Sequence, residues 1–199
     1  NKFSSKANIS LTEPQNSNTS LDRFTKFIGR TTEGTEKSFY IIDNNVNFSI
    51  QDENETKIAT FDVYEAQSIV QSKLFDLDVT NQSIFLTTQD FDYRTLIVEV
   101  DIDGTNNFVE YRRGSTTEPN VNENSQIYYL ESFNSGFEVK FGAGIINPET
   151  GETAGDPLTE VSKVRVSYLI PSGSSANSIS NFSPDFSTSG TITTNEASS

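Results

Sequence analysis

Three Asp-x-Asp pairs stand out as residues whose type and spacing could do chemistry: Asp76/Asp78, Asp90/Asp92 and Asp101/Asp103. Residues two apart share a face of an extended segment, so each pair sets two carboxylates side by side, as a hard, oxygen-ligated cation requires. None continues as a full calcium loop. After Asp103-Gly104 the further ligands, including a bidentate Glu, are missing from the expected spacing. The expectation is a solvated acidic face that holds no metal, with thermal stability indifferent to chelators. Paired carboxylates about 5–9 Å apart could also hydrolyse a glycosidic bond. With 28 acidic residues, however, some pair meets that distance by chance, and with no Trp the aromatic platforms of a sugar cleft would fall to 7 Tyr and 15 Phe.

The rest of the chemical inventory is narrow. The chain has no His and no Cys, which removes Ser-His-Asp and Cys-His catalysis, imidazole and thiolate metal sites, and disulfides. Phe141-Gly142-Ala143-Gly144-Ile145 invites a phosphate-loop reading, since glycine lets backbone N–H groups approach an anion. It lacks the third Gly of a dinucleotide fingerprint and the Gly-Lys-Ser/Thr of a Walker loop, and no helical pattern follows. Gly142, Ala143 and Gly144 are therefore read as a structural turn leaving a strand. Arg112-Arg113 is an adjacent basic pair in an acidic chain and a candidate interface: it could grip a partner's carboxylate, or it could be an exposed surface pair. The Asn-x-Ser/Thr triplets at Asn8, Asn47, Asn54, Asn81 and Asn181 carry no weight in so Asn-, Ser- and Thr-rich a sequence. No catalytic residue and no cofactor is expected, and the chain is read as a non-enzyme.

Charge and hydropathy narrow the partners. The net charge of −14 over 199 residues would repel phosphate backbones and anionic membrane surfaces, so nucleic acid is not an expected partner. Apolar runs such as Leu96-Ile97-Val98 and Tyr168-Leu169-Ile170 fall far short of the roughly 20 residues a spanning helix needs. No membrane insertion is expected. The start, Asn1-Lys2-Phe3-Ser4-Ser5, reads as that of an excised or processed piece of a longer protein.

The elements that position these groups read as strands. Leu96, Val98, Val100 and Ile102 alternate with Glu99, Asp101 and Asp103 before an Asp103-Gly104 turn. Phe137, Val139 and Phe141 alternate likewise, as do Val164, Val166, Tyr168 and Ile170. Asp43-Asn44-Asn45 predicts a hairpin between Phe39–Ile42 and Val46–Ile50, and Glu65-Ala66 a second between Ile58–Tyr64 and Ser68–Phe75, with a short helix over Glu65–Leu74 as the alternative. Leu21, Phe24 and Ile28 share the spacing of a helical face over Leu21–Phe27. The fold class is mainly β: one or two small antiparallel β domains, sandwich-like, with polar extended ends. The boundaries expected are a polar extension or linker over 1–20, β domains over 21–103 and 104–171, and a polar extension over 172–199. The ends are too poor in apolar residues to order except against something else.

One stretch goes beyond a generic β pattern. Ser125-Gln126-Ile127-Tyr128-Tyr129-Leu130-Glu131-Ser132 is followed by Phe137-Glu138-Val139-Lys140-Phe141-Gly142-Ala143-Gly144-Ile145-Ile146, by Val164-Arg165-Val166-Ser167-Tyr168-Leu169-Ile170, and by Gly173-Ser174-Ser175-Ala176-Asn177. In order and spacing this resembles the T-even-like bacteriophage baseplate wedge proteins and, more distantly, the baseplate J family of contractile tails. There a strand ending in Phe-Gly-Asp-Gly precedes a strand ending in a Tyr-Leu or Tyr-Arg pair and a Gly-x-x-Ala-Asn-like exit. A weaker likeness extends over 58–103, through Phe61-Asp62-Val63-Tyr64-Glu65-Ala66 and Leu96–Val100. Two departures are plain: Ala143 stands where Asp is usual, and Asn147–Pro157 is a polar insertion that should lie on the surface.

The resemblance implies a structural role in the virion, at the tail baseplate, after assembly in the host cytoplasm. Such wedge proteins associate with themselves as dimers, join neighbouring wedge proteins into a ring around the tail hub, and take part in the shape change that triggers sheath contraction. Trimming the chain before Leu21 or after Pro171 should then leave the core folded and weaken association. The alternative from a different class is a receptor-binding or adhesin-type β domain that recognises a carbohydrate or host surface through Tyr- and Asn-rich loops.

Overall fold

The computed structural model describes residues 3–51, 55–87, 90–115, 124–133, 136–142, 151, 155–173 and 176–199. Among the described residues fourteen strands account for the architecture, with a 3₁₀ turn over Tyr93–Thr95 and no α-helix. The mainly β class holds, as two seven-stranded, barrel-like sheets. Each sheet belongs to its own compact unit. The first unit takes Asn1–Ile69 and Leu169–Ser199, and the second takes Val70–Tyr168.

In the first unit the strands are β1 (Lys6–Pro14), β2 (Lys26–Arg30), β3 (Glu36–Tyr40), β4 (Ser49–Gln51), β5 (Thr56–Glu65), β13 (Asn181–Pro184) and β14 (Thr191–Glu196). Their order is β13-β2-β3-β5-β1-β14, with β4 also on β5. The residues expected to be loose ends thus supply three strands. β1 runs antiparallel to β5 from Lys6↔Tyr64 to Pro14↔Thr56, and on its other edge Leu11 meets Ile192 of β14. The reason lies in alternation rather than composition. Ala7, Ile9 and Leu11 are buried on one face, while on the other Asn8 donates to Asp62 at 2.8 Å and Ser10 shares a 2.7 Å hydrogen bond with Thr60. Phe27 of β2 lies 5.4 Å from Phe61 of β5, and Phe39 of β3 lies edge-on to Phe182 of β13 at 5.0 Å. Such pairs contribute about 0.5–1.5 kcal/mol each beyond the area they bury.

The second unit is built from β6 (Ser68–Phe75), β7 (Ser83–Leu86), β8 (Ile97–Asp101), β9 (Val109–Arg113), β10 (Ile127–Phe133), β11 (Gly136–Lys140) and β12 (Lys163–Ile170), in the order β6-β12-β8-β9-β10-β11-β7. β9 and β10 pair in parallel. Val98, Val100, Tyr111, Ile127, Val139, Phe141, Val164 and Val166 are all buried. Phe91 is fully buried, with its ring 5.1 Å from Phe137 and 4.7 Å from Tyr168.

Several local expectations are corrected. The expected break between 103 and 104 falls inside the β8–β9 connection, whose strands pair Val98↔Tyr111 and Val100↔Val109. No helix forms over Leu21–Phe27: Phe24 takes a left-handed φ of 66°, its N–H donates to Ile41 O at 2.7 Å, and Phe27 lies in β2. Pairing with residue 41 takes the backbone groups a helix would have used. Neither expected hairpin forms. β3 and β4 both pair with β5, and the strands on either side of Glu65-Ala66 enter different sheets. Asp43-Asn44-Asn45 is still a turn, with the Asn45 N–H donating to the Asp43 carboxylate at 3.2 Å. In β8 both faces are covered: Ile97 and Asp101 are buried beside Val98 and Val100, while Ile102 is exposed. Leu169 and Ser167 of β12 are buried as well, against the alternation expected there.

Candidate functional site

The alternation of β11 aims Phe137, Val139 and Phe141 into the second unit, and all three are buried. Phe141 directly follows the strand, with its N–H on Gln82 O at 2.7 Å and its ring 6.2 Å from Tyr111. Gly142 follows at the closest backbone approach of this corner. A Cβ at that position would drive into the Asp156 carbonyl and lie 2.6 Å from Pro157 N, so no side chain fits. Of the expected turn, Gly142 is buried at this corner with a φ of 21°, and Ala143 and Gly144 lie outside the described residues. Asp156 ties the corner together, accepting from the Tyr111 hydroxyl at 3.2 Å and donating its N–H to Ser125 O at 3.1 Å. Burial first, and then the Asp156 carboxylate, push the Tyr111 hydroxyl well above the ordinary tyrosine range.

Arg112 and Arg113 follow Tyr111 on β9, opposite Ile127 and Tyr128 of β10. Both side chains are exposed. Neighbouring positions on a strand point to opposite faces, so the two guanidinium groups do not form one cluster. The Arg113 guanidinium stands 5.1 Å from the Tyr93 ring, a cation–π contact that holds it near the sheet. Tyr128 is buried, its hydroxyl donates to Leu96 O at 3.4 Å, and burial pushes it up to about 12. The segments quoted for the family resemblance in β10 and β11 thus pair beside the strand that carries the arginines, and Asp156, from the polar insertion, closes the corner between them.

The three Asp-x-Asp pairs behave differently from one another. Asp78 closes a turn, accepting from the Asn81 side chain and N–H and from the Thr80 N–H, which together lower it from the usual carboxylate value. Asp92 is fully buried rather than solvated. It caps the 3₁₀ turn by accepting the Arg94 N–H at 3.0 Å and takes a forked contact from the Arg94 guanidinium at 2.7–3.1 Å. Asp101 is also fully buried, while Asp103 is exposed. The expectation of a solvated acidic face therefore fails at Asp92, which is drawn in to cap the 3₁₀ turn and meet the Arg94 guanidinium, and at Asp101, which ends a strand covered on both faces. Among the described residues, no three His, Cys, Asp or Glu side chains are grouped to hold a metal ion.

Three polar side chains that the sequence does not single out are buried and organise their surroundings. Gln82, with φ of 51°, donates to Val79 O and Leu158 O at 2.8 Å each and accepts from Leu158 N at 2.6 Å. Glu65 accepts both the Ser172 N–H at 3.0 Å and its hydroxyl at 2.6 Å. Glu13 accepts the hydroxyls of Ser17, Thr188 and Thr19. Burial pushes Glu13 up, but the three hydroxyls outweigh it and the carboxyl sits below its ordinary value. Gln82 and Glu13 lie in Asn-, Ser- and Thr-rich runs, where nothing in residue type separates them from solvated neighbours, and the sequence marks Glu65 only as a turn residue.

A polar cleft of about 540 Å³ opens in the first unit, lined by Asn8, Asp43, Asn45, Asn47, Asp62 and Tyr64 among others. Asp62 within it is already engaged by Asn8 and by Lys6 at 2.7 Å. Among the described residues, no helix is long and apolar enough to cross a membrane. In comparison with known proteins, no family model matches the chain and no curated protein matches it.

Proposed function

We propose that the chain is a structural component of a contractile-tail phage baseplate wedge, acting through contacts with copies of itself and with other wedge proteins. The observation that supports the reading is that β10 and β11, which carry much of the resemblance, pair as neighbours in the second unit. Asp156, from the polar insertion, holds Ser125 before β10 through its N–H and meets Gly142 after β11 in a backbone approach that tolerates no side chain, near the strand that bears the exposed Arg112 and Arg113. A close-packed turn of this kind fixes the strands around it, and the exposed guanidinium groups on the two faces of β9 each suit recognition of a partner's carboxylate. The role needs no catalysis, membrane or nucleic acid. Light scattering on the purified chain, alone and with the wedge proteins expressed beside it, tests the proposal: a defined oligomer or complex supports it, and a strict monomer under all mixtures overturns it.

The polar cleft favours a second reading, an adhesin-type domain that binds carbohydrate. Asn and Asp side chains beside a Tyr ring offer the hydrogen-bonding and stacking groups that sugars take. A monomer that binds an immobilised glycan, and loses it on Asn45→Ala, would favour this reading over assembly.

A further inference from the structure

We propose that the loop after β8, from Asp101 to Asn107, binds a hard divalent cation, calcium in particular, and that the ion displaces the ammonium of Lys163. Asp101 is fully buried, and its two oxygens are treated unequally. Oδ2 accepts the Asn106 N–H at 2.8 Å, whereas Oδ1 is buried without a hydrogen-bond partner among the described residues. A buried, unsatisfied carboxylate oxygen is costly. Asp103 follows in the bend after β8, where it interacts electrostatically with Asp101, with its own Oδ1 held by the Thr105 hydroxyl and N–H. Two carboxylates side by side call for a positive charge between them.

The backbone after β8 curls back toward Asp101. Gly104 and Asn106 have φ of 74° and 69°, and the N–H five residues after the first Asp turns back onto that carboxylate. Calcium takes carboxylate, carboxamide, carbonyl and water oxygens together, so a site can be made with two acids. The loop offers such a mixture in Asp101, Asp103, the Asn106 side chain and the Gly104 carbonyl.

Lys163, opposite Asp101 on β12, marks where positive charge belongs. Its Nζ donates to Asn106 Oδ1 at 2.9 Å and to Gly104 O at 3.3 Å, while it reaches only 4.0 Å from Asp101 Oδ2. The ammonium therefore satisfies the neutral oxygens and leaves Asp101 Oδ1 unmet. With its side chain 41% exposed, Lys163 can swing into water when a doubly charged ion arrives.

Isothermal calorimetry of the full chain against calcium, with magnesium as the comparison, tests this. The wild-type chain is expected to bind one calcium with a dissociation constant of about 10⁻⁴–10⁻³ M, and magnesium more weakly, because magnesium sheds its water reluctantly. Lys163→Gln should bind calcium roughly tenfold tighter, and Asp103→Asn, at an exposed position that should not disturb folding, roughly tenfold weaker. Asp101→Asn, checked for folding by circular dichroism, should abolish binding. The proposal is overturned by no saturable calcium binding to the wild-type chain up to about 10 mM. It is equally overturned by binding seen only in Lys163→Gln, which would make the lysine the permanent occupant, or by binding undiminished in both Asp variants.

Discussion

At the scale of single residues, the corner around Gly142 and the buried Glu13 put the physics to the sharpest tests. Phe141 is fully buried, so Phe141→Ala removes a ring the surroundings cannot replace and should cost about 3–5 kcal/mol in urea unfolding. Gly142→Ala forces a methyl group against the Asp156 carbonyl, and the backbone must shift to admit it, at about 1–3 kcal/mol. A fully stable Phe141→Ala protein would sink the core assignment. Glu13 predicts a pH effect. Its carboxyl sits lower in the folded chain than in the unfolded one, so its stabilisation is fully present above the ordinary Glu value. That stabilisation is lost as pH falls through the depressed one. With no His in the chain, the acid limb belongs to carboxylates. Glu13→Gln should therefore be less stable than the wild type at pH 7, with the gap closing as both proteins are acidified. A gap independent of pH, measured by urea melts across that limb, would rule out the charged form as the acceptor of the three hydroxyls.

At the scale of elements, the ends of the chain carry the main prediction. Residues before Leu21 provide β1, the strand between β5 and β14, with Ile9 and Leu11 in the core, and residues after Pro171 provide Ile179 and Phe182. Removing either end should therefore unfold the first unit, rather than spare the core and weaken association alone. Loss of its cooperative melting transition would bear this out, and a native-like melt after trimming would refute it. The same strands show what the sequence could and could not disclose. Strand existence was legible wherever Val, Ile and Phe alternate, as in β8, β11 and β12. Pairing was not, because Asp43-Asn44-Asn45 marks a turn without saying that β3 and β4 will both seek β5. β1 was hidden because its short apolar face of Ala7, Ile9 and Leu11 sits in an Asn-, Ser- and Thr-rich run, and its polar face proves to be hydrogen-bonded to β5 rather than to water. Gly142 was legible as a turn from its type and place. Gln82, Glu13 and Glu65 were not, since burial of a polar side chain is decided by partners distant in the sequence.

At the scale of the whole molecule, charge sets the terms on which copies can meet. Two chains of −14 repel each other over distances that salt controls, the screening length falling from about 30 Å at 0.01 M to about 8 Å at 0.15 M. Long-range repulsion acts mainly on the rate of encounter, whereas a close guanidinium–carboxylate contact acts mainly on the rate of escape. These two effects separate in experiment. If copies associate through Arg112 and Arg113, raising the salt over that range should speed association, because the repulsion it screens is larger than the local attraction it weakens. Arg112→Ala with Arg113→Ala should speed dissociation at every salt concentration while leaving the salt trend of association in place. Both side chains are exposed on β9 and Arg113 gives up its contact with the Tyr93 ring, so their removal should cost folding stability about 0.5–1 kcal/mol. Surface-immobilised chain, probed with free chain at low and physiological salt, reads both rates. Association slowed by salt would mean that opposite charges dominate the approach and that the interface lies elsewhere or faces a basic partner. Unchanged dissociation in the double variant would remove the arginines from the contact.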